Sequence, residues 1–233
     1  MEMVTSVSTI ILAAIVHALL QLSLGCLLLL YHASKGKHIA KKTRGLVRSY
    51  VFGIGALTFL GVCAMCYLIL HIWEGPLAAE WLTIIVGILA VLTFMVWLFY
   101  YRWGRKSSEL WLPRTVARFI DGRAKSTDSR VEAFSLGILT CFAELPFSLI
   151  LFVVAANSVL ELPTAFQVLM VLVYAIVTII PTIILCCNLR TGKTIVEVQR
   201  WRVRHKNFLR VVTGLGFLAL AIFIFAFRIK GVL

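Results

Sequence analysis

Ala133-Phe-Ser-Leu-Gly-Ile-Leu-Thr-Cys-Phe-Ala-Glu-Leu-Pro-Phe-Ser-Leu-Ile-Leu-Phe-Val-Val-Ala-Ala-Asn-Ser-Val159 runs for 27 residues with one charged side chain, Glu144. A stretch of this length and apolarity matches the hydrocarbon core of a bilayer, about 30 Å thick, crossed by a tilted helix. It shows no two-residue alternation of the kind a barrel strand requires. Five more runs of the same kind occupy 7–31, 50–73, 81–101, 163–187 and 208–227. The expected fold class is therefore all-α, a polytopic membrane protein of six transmembrane helices.

Composition agrees. Hydrophobic residues make up 61% of the 233 and charged residues 14%, against roughly 25% charged in a soluble domain. Mean hydropathy is +0.98. The N-terminal Met1-Glu2-Met3-Val4-Thr5 lacks a positive n-region and no small-residue cleavage pattern follows, so the first run reads as a retained helix. All six cysteines fall inside apolar runs, where cysteine packs as a small hydrophobe.

Charge gives the orientation. The segments between runs one and two, three and four, and five and six, counted with Arg210 at the start of run six, hold 21 of the 23 Lys and Arg residues. The opposite connections hold Glu74, Glu80 and Glu161 and no base. The positive-inside rule then expects basic loops in the cytoplasm, both termini outside it, and location in a cell (inner) membrane. The net charge of +13 is thus topological, with attraction to an anionic inner leaflet as a second effect; no nucleic-acid partner is expected. Two basic segments read as short interfacial helices on that leaflet. They are Trp111–Gly122 and the segment opened by the capping-box spacing Thr194-Ile-Val-Glu197.

Three spans, a basic linker and three spans point to a duplication. Val86–Gly104 lies over Thr213–Gly231, and Ala18, Ser23 and His32 pair with Ala143, Ser148 and Asn157. The units are 1–104 and 132–233, joined by 105–131. An odd number of spans per unit inverts the second, giving a 3+3 inverted repeat, a recurring transporter plan with its site near the midplane.

Arg48-Ser-Tyr-Val-Phe-Gly-Ile-Gly55 opening span two, Ala133–Pro146 opening span four, and the glycine-centred spans three and six resemble the superfamily of LysE-type exporters and DsbD/CcdA-type redox proteins. That resemblance implies a six-helix, two-times-three arrangement and either solute export or thiol chemistry. CcdA-type proteins carry a Pro-Cys pair in spans one and four. Here Cys26 follows Gly25 and Cys141 follows Thr140, which favours transport.

Polar side chains inside spans are costly and are functional candidates by default. Glu144 is the one acid deep in a run, and Pro146 two residues later is expected to break the helix beside it. His17 and Gln21 are four residues apart and share a helix face at comparable depth. Together they form the candidate site for a proton, a cation or a small solute, with interhelical hydrogen bonding as the plainer explanation. Cys63-Ala-Met-Cys66, and Cys26 with Cys141, are the alternative redox groups. Gly53, Gly55, Gly61, Gly87, Gly137, Gly214 and Gly216 are expected at close helix contacts. No cofactor, metal spacing or enzyme motif is found. The leading expectation is a small secondary transporter, with thiol–disulfide electron transfer and a membrane subunit docking a partner through basic loops as alternatives. A homodimer is compatible with the plan.

Overall fold

The computed structural model describes residues 2–24, 40–103, 119–120, 122–124, 126–188 and 192–229. Cys26, His32 and most of the expected interfacial helix Trp111–Gly122 lie outside the described residues. Six long helices follow one another: α1 (Glu2–Leu24), α2 (Ala40–Trp73), α3 (Ala79–Trp103), α4 (Arg130–Leu160), α5 (Thr164–Asn188) and α6 (Gly192–Ile224). A π-helical turn, Phe225–Ile229, ends the last. The described residues contain no strand.

Among the described residues five helices carry stretches long and apolar enough to cross a membrane: Met3–Gln21, Gly45–Trp73, Arg130–Leu160, Thr164–Ile184 and Val211–Ile229. In α3, which runs on to Trp103, the apolar stretch found among the described side chains is Ala79–Met95. Large apolar side chains such as Phe52, Leu60, Val91, Val168, Ile184 and Ile222 point outward on these helices. In water such a surface would be an aggregation liability, whereas in lipid it is the solvent-matched face. Trp73 and Trp81 meet edge to face, ring centroids 5.2 Å apart, where α2 turns into α3. That is where an aromatic belt would stand. The chain has the build of a multi-pass membrane protein.

Helix starts depart from the sequence reading in an instructive way. Ser129 accepts from the Glu132 amide at 3.2 Å, and the Glu132 carboxylate accepts from the Ser129 and Asp128 amides. This capping box opens α4 three residues before Ala133. The similar Thr194–Glu197 spacing caps nothing, because α6 is already helical at Gly192. The expected separate interfacial helix is instead the first half of α6. With 33 residues, α6 is about 50 Å long by its rise, well beyond a bilayer core, so its basic half continues the span as one helix. The basic segment before span two is likewise helical from Ala40.

Packing sets α1 and α4 in the middle. Half of the spanning window of each is buried, against 28% in α2 and α5 and 33% in α6. The most extensive contact is α2 on α4; α1 touches α4, α5 and α6, α2 also meets α5, and α3 lies on α6. Glycines permit the α2–α4 crossing. A Cβ at Gly53 would run into the Phe134 carbonyl oxygen, and one at Gly137 into the Tyr50 carbonyl oxygen. Only hydrogen at both positions lets the backbones come this close. Higher on α2, Gly61 makes room for Phe152, whose ring edge would stand 2.9 Å from an added Cβ. Gly87, by contrast, faces nothing within 4 Å among the described residues, so the close contact expected there is not found among them.

Neither proline breaks its helix. α4 runs unbroken through Pro146 and α5 through Pro181. Pro146 still withholds the amide that would bond to the Phe142 carbonyl, but the broken helix expected beside Glu144 is absent. Tertiary packing on both sides of α4 holds it helical across the missing bond.

Candidate functional site

The two innermost helices carry the ionisable side chains. Glu144 stands fourteen residues after Arg130 and sixteen before Leu160, about 21 and 24 Å along α4. His17 is fifteen residues into α1, about 22 Å from its start. Both are thus at mid-depth, with exposures of 2% and 0%, and Gln21 is 1% exposed one turn beyond His17.

α5 supplies a partner that the sequence reading passed over. The Tyr174 hydroxyl lies 3.0 Å from His17 Nδ1. Phe152 of α4 closes a ring around this pair. Its centroid is 5.2 Å from His17, edge-on, and 6.3 Å from Tyr174. Such edge-to-face contacts fix ring planes as well as burying area. A tyrosine in an apolar run reads as packing, and nothing in its spacing marks it as the ligand of a histidine on another helix.

Cys141 lies one turn before Glu144, with its thiol 4.0 Å from the Thr58 hydroxyl. It stands within electrostatic reach of both the Glu144 carboxyl and the Tyr174 hydroxyl. Around these groups the small hydroxyls are spent on their own helices: Ser148 donates to the Glu144 carbonyl and Thr178 to the Tyr174 carbonyl. Their protons are therefore not available to the larger side chains.

The decisive feature is what is left over. Among the described residues His17 Nε2, both amide atoms of Gln21 and Glu144 Oε2 are buried without a hydrogen-bond partner. Each such atom costs about 1–3 kcal/mol relative to a satisfied one. A helix bundle that merely needed interhelical glue would have paired them. His17 can offer either role at Nε2. If Tyr174 donates to Nδ1, Nε2 bears a proton; if Nδ1–H donates to Tyr174, Nε2 accepts. Gln21 brings both a donor and an acceptor.

The cysteines divide. Cys63, Cys66 and Cys141 are free thiols. The Cys66 thiol donates to the Ala156 carbonyl at 3.8 Å, and the Cys141 thiol lies against the Thr58 hydroxyl. Pairing of Cys26 with Cys141 falls outside the described residues. Among those residues no three His, Cys, Asp or Glu side chains gather closely enough to hold a metal ion.

A second polar cluster lies at the end of the bundle away from the basic segments. Arg228, on the π turn, pairs with Glu161 just after α4 and donates to the Ser6 hydroxyl of α1 at 3.1 Å. Ser6 donates to the other Glu161 oxygen at 2.8 Å. Asn157 donates to Glu161 at 3.1 Å, and its carbonyl accepts from the Leu77 amide in the α2–α3 turn at 2.6 Å. The sequence held a signal for this cluster. Arg228 is one of two bases outside the three basic segments, and Asn157 and Glu161 are spaced one helical turn apart. Comparison with protein-family models, curated proteins and solved structures gives no match to this chain.

Proposed function

We propose that the chain is a small secondary transporter, an exporter whose mid-depth site binds a small cationic solute or ion in competition with a proton on Glu144. The observation that carries this reading is the set of unpartnered buried atoms on His17, Gln21 and Glu144. A carboxyl buried this deeply, with its Oε2 lacking a partner among the described residues, favours neutralisation by a proton or by a bound cation. Two occupants that exclude each other at one oxygen, with access alternating between the two sides, give exchange. His17, oriented by Tyr174, and Gln21 supply the remaining donors and acceptors, and Phe152 with Tyr174 wall the site.

In this reading α3 completes six spans, the basic segments face the cytoplasm and both termini lie outside it. Packing between the halves is what an inverted repeat would give. α1 meets α4, α2 meets α5 and α3 meets α6, while α2 packs on α4 as α5 packs on α1. Halves related this way can rock about a site held between their first helices. The LysE-type resemblance points in the same direction. The thiol–disulfide alternative gains nothing, since Cys66 and Cys141 are each engaged with oxygen.

The test is proton movement in proteoliposomes loaded with a pH-sensitive dye and challenged with alkali cations, divalent metals and small organic amines. At least one challenge should drive protein-dependent proton flux, and Glu144→Gln should lower that flux 100-fold or more. A wild-type chain that moves protons with none of them, or a Gln variant as fast as wild type, would overturn the reading.

A further inference from the structure

We infer that Arg228, Glu161 and Ser6 form a gate, closed in this structure, that seals the mid-depth site from the side opposite the basic segments. The inference rests on the transporter reading for its purpose, but its geometry is independent. The cluster joins residues from widely separated parts of the chain: the start of α1, the end of α4 and the π turn after α6. Asn157 adds the α2–α3 turn through the Leu77 amide. These are the far ends of the two helices that carry His17, Gln21 and Glu144. Beneath the ion pair lies an apolar layer in which Ile10, Ala13, Leu151, Ala155, Phe217 and Leu220 are all fully buried. Polar lock and apolar plug thus lie in series between the far surface and the site.

Three features favour a moving contact over a static brace. The Arg228 side chain is 7% exposed and Glu161 26%, and a pair this enclosed contributes little stability that apolar side chains could not supply. Its two charges have a geometric use instead: they hold the ends of α1, α4 and α6 together until water reaches them. The Arg228 Nε proton is buried with no partner, so the closed arrangement leaves one donor unused. Finally, Arg228 sits on a π turn, a rare distortion that swings its side chain away from the register α6 would otherwise give it. Opening would separate Glu161 from Arg228 and Ser6 and let the far ends of α1 and α4 part.

Cys141, beside Glu144 and 1% exposed, is a natural reporter. In a chain whose other five cysteines are alanine, reconstituted in vesicles, Cys141 is reacted with a membrane-impermeant, positively charged methanethiosulfonate applied to either side. Arg228→Ala should raise the labelling rate from the far side tenfold or more and leave the rate from the basic side unchanged. The exchanged pair Arg228→Glu with Glu161→Arg should return most of the protection. If Arg228→Ala does not fold, Glu161→Gln and Ser6→Ala carry the same expectation with smaller increases. Far-side labelling unchanged in every folded variant, or raised equally from both sides, would overturn the gate. Labelling needs no transport, so the gate and the transporter reading can fail separately.

Discussion

The two polar regions of this bundle are built from the same kinds of side chain and end in opposite states. At the far end an arginine, a glutamate, an asparagine and a serine hydrogen-bond to one another, down to a backbone amide in the α2–α3 turn, and leave the Arg228 Nε proton over. At mid-depth a histidine, a glutamine and a glutamate are more deeply buried, yet four of their polar atoms have no partner among the described residues. A closed network resists change, and removing any member strands the others. An open cluster is already carrying the desolvation cost, and removing a member relieves it. Satisfaction of hydrogen bonds, more than polarity, separates the far-end cluster from the candidate site at mid-depth.

That contrast makes stability measurements diagnostic. The largest effect should come from Arg228→Ala, which leaves Glu161 without its base; unfolding in detergent should show a loss of about 3 kcal/mol, the low end for a buried pair because Glu161 is partly exposed. Asn157→Ala should follow, at about 2 kcal/mol, since the Leu77 amide and the Glu161 carboxylate both lose a partner. Tyr174→Phe should cost about 1 kcal/mol, because His17 then has no described partner at either ring nitrogen, and it should slow transport more than it lowers stability. Gln21→Leu should have the smallest effect and the opposite sign, a gain of about 1 kcal/mol with loss of the proposed transport. A loss of 2 kcal/mol or more in Gln21→Leu would break the comparison, for it would mean that the mid-depth groups are paired and structural.

Much of the architecture was legible because bilayer physics is one-dimensional. Run length gave the helices, and the one acid inside a run marked Glu144 before any neighbour was known. Helix ends were less legible. Ser129-Arg-Val-Glu132 and Thr194-Ile-Val-Glu197 carry the same capping pattern, yet one opens a helix and the other lies inside one. The pattern reports that a cap can form; whether the chain turns there depends on what lies before it. Pro146 failed as a predictor of a break for a related reason, since contacts along both flanks of α4 outweigh one missing hydrogen bond.

The sequence by itself determined a membrane-suited helical chain with its bases gathered into three segments, because apolar length and charge placement act through the solvent and need no partner. Only the tertiary structure decided that Tyr174 meets His17, that Phe152 fits over Gly61, and that Arg228 closes on Glu161 and Ser6. Those contacts join residues 67 to 222 positions apart. Helical periodicity fixes which face a side chain occupies, but the neighbour across that face is chosen by how the helices cross, and here glycines at 53 and 137 set the closest of those crossings.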